Sequence, residues 1–317
     1  MILNVHGVGG GYLAPLTNDL PSKQVIARGE SVWTARDLRC REEWNVSLSD
    51  FAISAGDLRL GNAVRGVLPE LSGVARHVDQ ILNEGVGVVR VSGFDARGTG
   101  GGLDAYLALC RAVGTPRVSD DSLEYGHVTP AAGEGPVADY KSAATSSAAV
   151  ALHTEHARAI SAPRVVAFLC VSTATHGGDT VLVSGGDAHN RALECCPTAV
   201  ARLYRPVPMA RHPSVAAESV YDDAPVFSAH AGQLSVRYPR YWIERALPQA
   251  DSAHTGLAVA LADWNSVIDD EEAWARVSLE TGDAIFVRND RVLHGRTSFS
   301  AGKGTIRQRH LVRVLLD

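Results

Sequence analysis

One short stretch, Leu152-His153-Thr154-Glu155-His156, constrains the fold of this chain more than any other. Side chains of an extended segment alternate faces, so His153 and Glu155 point to one side and can meet at a single point. An imidazole and a carboxylate aimed at one point suit a metal ion, but two ligands do not complete a site. The third must come from a strand lying opposite, and His294, within Val292-Leu293-His294-Gly295-Arg296, is the candidate. Two histidines and one carboxylate on one side of a metal leave its remaining positions open. Any fold for this chain therefore has to place residue 294 across from residue 153.

Bulk properties narrow the classes. A chain of 317 residues can bury one large core, and we expect a single domain over 1–317, with an irregular segment over 1–55 and the motif-bearing core over 85–317. A net charge of −5 without a long block of one sign gives no electrostatic footprint for nucleic acid and no basic face for anionic lipid. No uncharged apolar run approaches the ~20 residues of a membrane span, and the first residues lack the positive flank of a secretory signal. The five cysteines form no CxxC pair, and adjacent Cys195-Cys196 do not resemble a disulfide framework, so reduced thiols are expected, with Cys110 and Cys170 in the core. The expectation is a soluble, cytoplasmic protein acting on a small molecule, without nucleic-acid or membrane partners. Oligomeric state is not encoded in any motif.

Along the chain, Leu71, Val74, Ala75, Val78, Ile81 and Leu82 recur at helical spacing before Gly85, which predicts an amphipathic helix. A strand is predicted over 86–91, a helix over 103–113 stopped by Gly114, a loop over 122–138, and strands over 164–172 and 179–184 joined through Gly177-Gly178. The small residues of 142–151 would let backbone approach a ligand, or simply pack a tight strand. One helical stretch is expected over 187–204 despite Pro197, short extended pieces over 206–238, and a helix over 255–267. Strands over 284–287 and 309–316 follow, the last carrying Arg309, Leu311, Arg313 and Leu315 on one face. An arginine on the inward face of a strand needs an anion, since an unpaired buried guanidinium is costly. A dicarboxylate is the natural partner of Arg309.

An HxE pair alone is weak evidence for a metal. The order of further motifs changes that: His153 and Glu155, then Gly177-Gly178-Asp179-Thr180, Gly282-Asp283, His294-Gly295-Arg296 and Arg309. In this order the chain resembles the clavaminate synthase-like and taurine dioxygenase-like iron(II)/2-oxoglutarate oxygenases, over roughly residues 85–317. Glutamate in place of the commoner aspartate is similar to the group containing asparagine oxygenase and arginine hydroxylase, many of which act on free amino acids.

The resemblance implies a mainly β fold with flanking helices, a double-stranded β-helix of the jelly-roll or cupin-like kind. It implies Fe(II) held by His153, Glu155 and His294, with 2-oxoglutarate and O2 as co-substrates. Arg309 would pair with the far carboxylate of 2-oxoglutarate, with the Thr180 hydroxyl beside it. Hydroxylation of an unactivated carbon, with release of succinate and CO2, is the implied reaction. Arg313 matches a position that contacts the substrate α-carboxylate, and Glu124 one that meets the α-amino group. The alternative for each is an ordinary ion pair. Glu155 argues against halogenation, which needs that carboxylate absent. Arg237-Tyr238-Pro239-Arg240 departs from relatives that hold a cationic side chain with acids, which counts against an arginine-like substrate and leaves room for a neutral or acidic side chain; Asp222-Asp223 would restore a negative pocket, against the favoured reading of a solvated turn.

Remaining residues have structural readings. His156 points away from Glu155's face, His176 and His189 fit a turn and a helix surface, and Gly9-Gly10-Gly11 lacks the lysine of a phosphate loop. Trp33, Trp44, Trp242, Trp264 and Trp274 fit packing roles. Within enzymes, desaturation, epimerisation or cyclisation of a carrier-bound or modified intermediate is the alternative to hydroxylation. A non-catalytic metal- or ligand-binding barrel is the alternative outside them. Zinc hydrolysis lacks an HExxH helix and leaves Arg309 without a purpose.

Overall fold

The N-terminal region holds more structure than its composition advertises. In the computed structural model, which describes residues 26–51, 71–95, 101–118, 125–130, 145–155, 162–210, 221–230, 233–247, 255–300 and 308–317, it contributes helix α1 (Ala35–Cys40) and strand β1 (Asn45–Ser47). Thr34 starts α1 with a reciprocal capping box: its hydroxyl accepts from the Asp37 N–H, and the Asp37 carboxylate accepts from the Thr34 N–H. Trp33 and Trp44 are buried, their indole N–H groups donating to Val86 O and Leu38 O at 2.9 and 3.0 Å. The expectation of an irregular segment over 1–55 is therefore corrected for residues 26–51. Elements of six and three residues are too short to show a hydrophobic period.

The amphipathic helix forms as α2 (Leu71–Glu84), followed by β2 (Val88–Ser92) and α3 (Gly102–Val113). Within the span expected to be loop, Gly126–Val128 forms strand β3. Next come β4 (Val150–His153), β5 (Val165–Ser172), β6 (His176–Gly177) and β7 (Thr180–Ser184). The helical stretch expected over 187–204 divides into α4 (Gly185–Cys195) and α5 (Pro197–Leu203). Pro197 has no N–H to continue α4 but suits the first turn of a new helix. The extended pieces are β8 (Val207–Ala210), β9 (Tyr221–Ala224), β10 (Phe227–His230) and β11 (Gln233–Val236). Asp222-Asp223 thus lies in a strand and not in a turn. After α6 (Arg240–Ala246) and α7 (Leu257–Ile268) come β12 (Ala275–Val277), β13 (Ala284–Arg288), β14 (Val292–Arg296), β15 (Phe299–Ser300) and β16 (His310–Leu316).

Two sheets place the site. The larger runs β1-β2-β13-β5-β16-β3, and the smaller runs β12-β7-β14-β4 with every neighbour antiparallel. Strand β16 shows how the large sheet divides its two faces. Val312, Val314 and Leu316 pair with Leu169, Ala167 and Val165 and join the core formed with α2 and α3. Arg313, opposite Phe168, lies on the other face. A second core sets Val181, Val183 and Leu293 of the small sheet against Ala188, Leu203, Leu261 and Trp264 of α4, α5 and α7. Each such aliphatic side chain, once buried, contributes roughly 1.5–3 kcal/mol. Helices thus cover apolar faces of both sheets, while Leu182, Ala275 and Val277 of the small sheet join the core of the large one.

Cys110 and Cys170 are buried free thiols as expected, and Trp242 and Trp264 are buried. His189 corrects its surface reading, since it is fully buried on α4. Its ring stands edge-on to Phe227 with centroids 4.9 Å apart, and its Nε2 lies 3.0 Å from the Tyr204 hydroxyl. Burial pushes its pKa down to about 4, so the ring is neutral near pH 7. Both neighbours come from elements beyond α4, which a helix period does not reveal. Among the described residues no helix is long and apolar enough to cross a membrane.

Candidate functional site

Antiparallel pairing of β4 with β14 sets His153 directly opposite His294, where side chains share a face. Their ring centroids are 4.5 Å apart. Glu155, two residues past His153, brings Oε2 to 3.8 Å from His153 Nε2 and 4.0 Å from His294 Nε2. One ligand atom from each of the three residues lies within 4.8 Å of the other two. His153 Nδ1 sits 2.9 Å from Ala151 O, and a carbonyl can only accept, so the proton is on Nδ1 and the Nε2 lone pair faces the cluster. His294 is buried, and neither of its nitrogens has a hydrogen-bond partner among the described residues. Burial first, and the neighbouring His153 second, push its pKa down to about 3, leaving a neutral imidazole. A buried neutral imidazole without partners is costly on its own and suited to a metal ion. The donor set fits Fe(II).

Glu155 is held at both its backbone and its carboxylate. Arg313 Nη1, from the large sheet, donates to Oε1 at 3.2 Å. Burial pushes the carboxyl up, but Arg313, then His153 and His294, outweigh it and hold the group well below the usual carboxylate range. The Glu155 N–H donates to Asn289 Oδ1 at 2.7 Å, and Asn289 Nδ2 donates to Glu155 O at 2.8 Å.

A second polar cluster lies further along the same strands. Arg309, buried just before β16, donates through Nη2 to Gly178 O at 3.2 Å, while its Nη1 is buried with no partner among the described residues. Gly178 allows this approach: its φ is +81°, and a Cβ there would sit 3.0 Å from Arg309 Nε. The Phe299 ring lies between Arg309 and Arg296, whose guanidinium carbons stand 5.4 and 4.8 Å from its centroid. Arg296 Nη2 donates to Ser146 O and Ala148 O, so the run of small residues brings its carbonyls to an arginine. Thr180, buried at the start of β7, is opposite Arg296 in register. The Gly282-Asp283 pair serves the fold: Asp283 accepts from Arg90 at 2.6 Å and from the Glu280 N–H at 2.7 Å.

Of the residues singled out from the sequence, His153, Glu155, His294 and Arg313 converge, and Arg309 and Thr180 flank the second cluster. Glu124 and His156 lie outside the described residues. Asn289 lies outside every sequence motif, and Arg296 closes the His294-Gly295-Arg296 motif without a role of its own. Arg296 had a legible signal, since a residue two past His294 on a strand shares its face.

The family model for taurine catabolism dioxygenase TauD, TfdA family, matches residues 60–315, and the chain belongs to that family. It is 32% identical over 151 residues, 46% of this chain and 52% of the relative, to uridine-5'-phosphate dioxygenase of an Amycolatopsis species. To FR-33289 synthase of Streptomyces rubellomurinus it is 27% identical over 172 residues, 49% of this chain and 48% of that one. The chain spans about half the length of these curated relatives. Among solved structures, asparagine oxygenase with Fe(II), 2S,3S-3-hydroxyasparagine and succinate superposes with a TM-score of 0.64 at 18% identity, covering 86% of this chain and 93% of that one. The non-heme iron oxygenase OrfP with Fe and alpha-ketoglutaric acid gives 0.61 at 18% identity over the same shares. At such identities these likenesses establish a shared mixed α/β fold.

Proposed function

We propose that the protein is an iron(II)- and 2-oxoglutarate-dependent oxygenase that hydroxylates an unactivated carbon of a small, amino-acid-like substrate and releases succinate and CO2. The observation carrying this reading is the convergence of His153, Glu155 and His294, with the His294 nitrogens buried and unpartnered among the described residues. When bound, iron with 2-oxoglutarate and O2 supplies the oxidant that breaks the C–H bond. The chain's residues do the rest. His153 presents Nε2 because Ala151 O holds its Nδ1 proton. Arg309, with a buried N–H group still to be paired, takes the far carboxylate of 2-oxoglutarate, and the Thr180 hydroxyl donates beside it. Arg313 spends one N–H on Glu155 and offers the others to a substrate carboxylate, and Glu124 meets the α-amino group.

In this reading the two sheets are the halves of a double-stranded β-helix, and residues 26–51 belong to the same single domain through β1 at the sheet edge. Five free cysteines support a cytoplasmic setting. A second reading rests on the Amycolatopsis relative, whose printed activity is on uridine 5'-phosphate: an anionic, phosphate-bearing substrate in place of an amino acid. Succinate release with Fe(II), 2-oxoglutarate and O2 across free amino acids and nucleoside 5'-monophosphates, with product masses, decides between them. One compound that stimulates succinate and gains one oxygen identifies the class. No turnover, and no charge-transfer absorption when Fe(II) and 2-oxoglutarate are mixed with the protein anaerobically, removes the oxygenase reading.

A further inference from the structure

We propose that Asn289 is a positioning residue for Glu155, an inference that rests on Glu155 being a metal ligand. Asn289 is 1% exposed, so its side-chain amide has no water to fall back on. All three hydrogen bonds of that amide go to backbone. Oδ1 accepts from the Glu155 N–H at 2.7 Å, and Nδ2 donates to Glu155 O at 2.8 Å and to Pro163 O at 2.9 Å. The first two bonds imitate a rung of a β-ladder where none exists. The register of β14 on β4 ends with His294 opposite His153, so Glu155 lies past the last paired position and has no strand partner there. The amide supplies one.

The position of Asn289 makes that substitution matter. It sits in the turn between β13 and β14, where the Arg291 N–H bonds to Arg288 O, and its own N–H is tied to Arg164 O at 2.9 Å. The same turn, which crosses from the large sheet to the small one, leads to His294 five residues later. A single rigid turn therefore fixes the backbone of the carboxylate ligand and the strand of the distal histidine. Pro163 and Glu155, on either side of residues 156–161, are held to one Nδ2. With its peptide locked on both sides, Glu155 is left with side-chain rotations alone, and Arg313 on Oε1 limits those. Oε2 then faces the two imidazoles without a search.

Only an amide of this length does this. Aspartate keeps the shape but has no donor and would press a carboxylate against the carbonyls of Glu155 and Pro163. Alanine removes all three bonds.

The test uses the full chain and Mn2+ as the probe, with affinity read by calorimetry without substrate and folding read by thermal melts. Asn289→Asp and Asn289→Ala are each expected to weaken Mn2+ binding about 10–100-fold while the protein still folds. Trp33→Phe is the control, since it removes a buried hydrogen bond remote from the ligands and should lower Tm with wild-type Mn2+ affinity. If Asn289→Asp fails to fold, Asn289→Ala and Asn289→Ser carry the comparison. Wild-type Mn2+ affinity in folded Asn289 variants overturns the positioning role and leaves the metal centre standing. A wild-type protein that binds no Mn2+ overturns both.

Discussion

Glu155 and Arg309 are both buried charges on the inner side of the fold, yet they are finished to different degrees. Glu155 has its backbone paired with Asn289 and one carboxylate oxygen paired with Arg313. Arg309 has one carbonyl, an aromatic face and a buried N–H group without a partner among the described residues. A buried charge left short of partners is destabilising, and a chain retains one where something else completes it. Within the site the difference separates the two: Glu155, completed by the protein, has its geometry set, and Arg309, left incomplete, is where the proposed co-substrate would pair. His294 belongs with Arg309 on this scale.

The strongest test removes the group that belongs to both sets. Glu155→Ala takes away a proposed metal ligand and strands the Arg313 guanidinium beside two imidazoles. Metal binding and turnover should both vanish, measured by Mn2+ calorimetry and succinate release. Mn2+ affinity equal to wild type would show that the carboxylate is scaffold alone.

Arg309→Lys addresses the incomplete group. A planar fork becomes a point charge, so 2-oxoglutarate should bind about 10–100-fold more weakly, equivalent to losing a charge-assisted hydrogen bond of ~1.5–3 kcal/mol. Mn2+ affinity should hold, and Tm should change little, because the protein loses only the bond to Gly178 O and keeps a cation near the Phe299 ring. A fall in Tm with unchanged 2-oxoglutarate affinity would move Arg309 to the scaffold side.

The same distinction explains what was legible in the sequence. His153, Glu155, His294 and Arg309 were found because chemistry demands those residue types, and a histidine two residues from a glutamate keeps its meaning in any fold with strands. Helix α2 was legible because a buried stripe repeats at the helical period, and α3 because Gly114 stops it. Asn289 left no such trace. An asparagine in a turn is ordinary, and its value comes from Glu155 and Pro163, which only the folded chain brings to it. His189 was obscured for the same reason, since its partners Tyr204 and Phe227 lie beyond its helix. Helix α1 was missed because its signal is a cap and not a period, Thr34 with an acid three residues on.

Acid addresses a buried histidine that lies outside the site. His189 has its folded pKa pushed down by burial to about 4, below the ~6.5 of an unfolded histidine. The unfolded chain therefore binds the proton first, so stability from this group is full above pH ~6.5 and declines as pH falls toward 4. Its full extent is a few kcal/mol, at about 1.4 kcal/mol per pH unit. Denaturant melts of His189→Phe should show a shallower loss between pH 6.5 and 4 than the wild type. Parallel curves would mean that His189 is not what acid attacks there.

The mildest perturbation lies farthest from the incomplete groups. Thr34→Ala deletes the hydroxyl that accepts from the Asp37 N–H and ends the reciprocal cap of α1. The cost should be about 1 kcal/mol, the usual loss for an N-cap threonine, and smaller if the Asp37 carboxylate continues to accept from the Thr34-position N–H. Since α1 leads into β1 at the edge of the large sheet, the change is in stability alone. Mn2+ and 2-oxoglutarate affinities should match wild type at a temperature where both proteins are folded. A weakened 2-oxoglutarate affinity in Thr34→Ala would mean that the sheet edge communicates with Arg309 across β2, β13, β5 and β16, and that completed and incomplete groups are not separable in this fold.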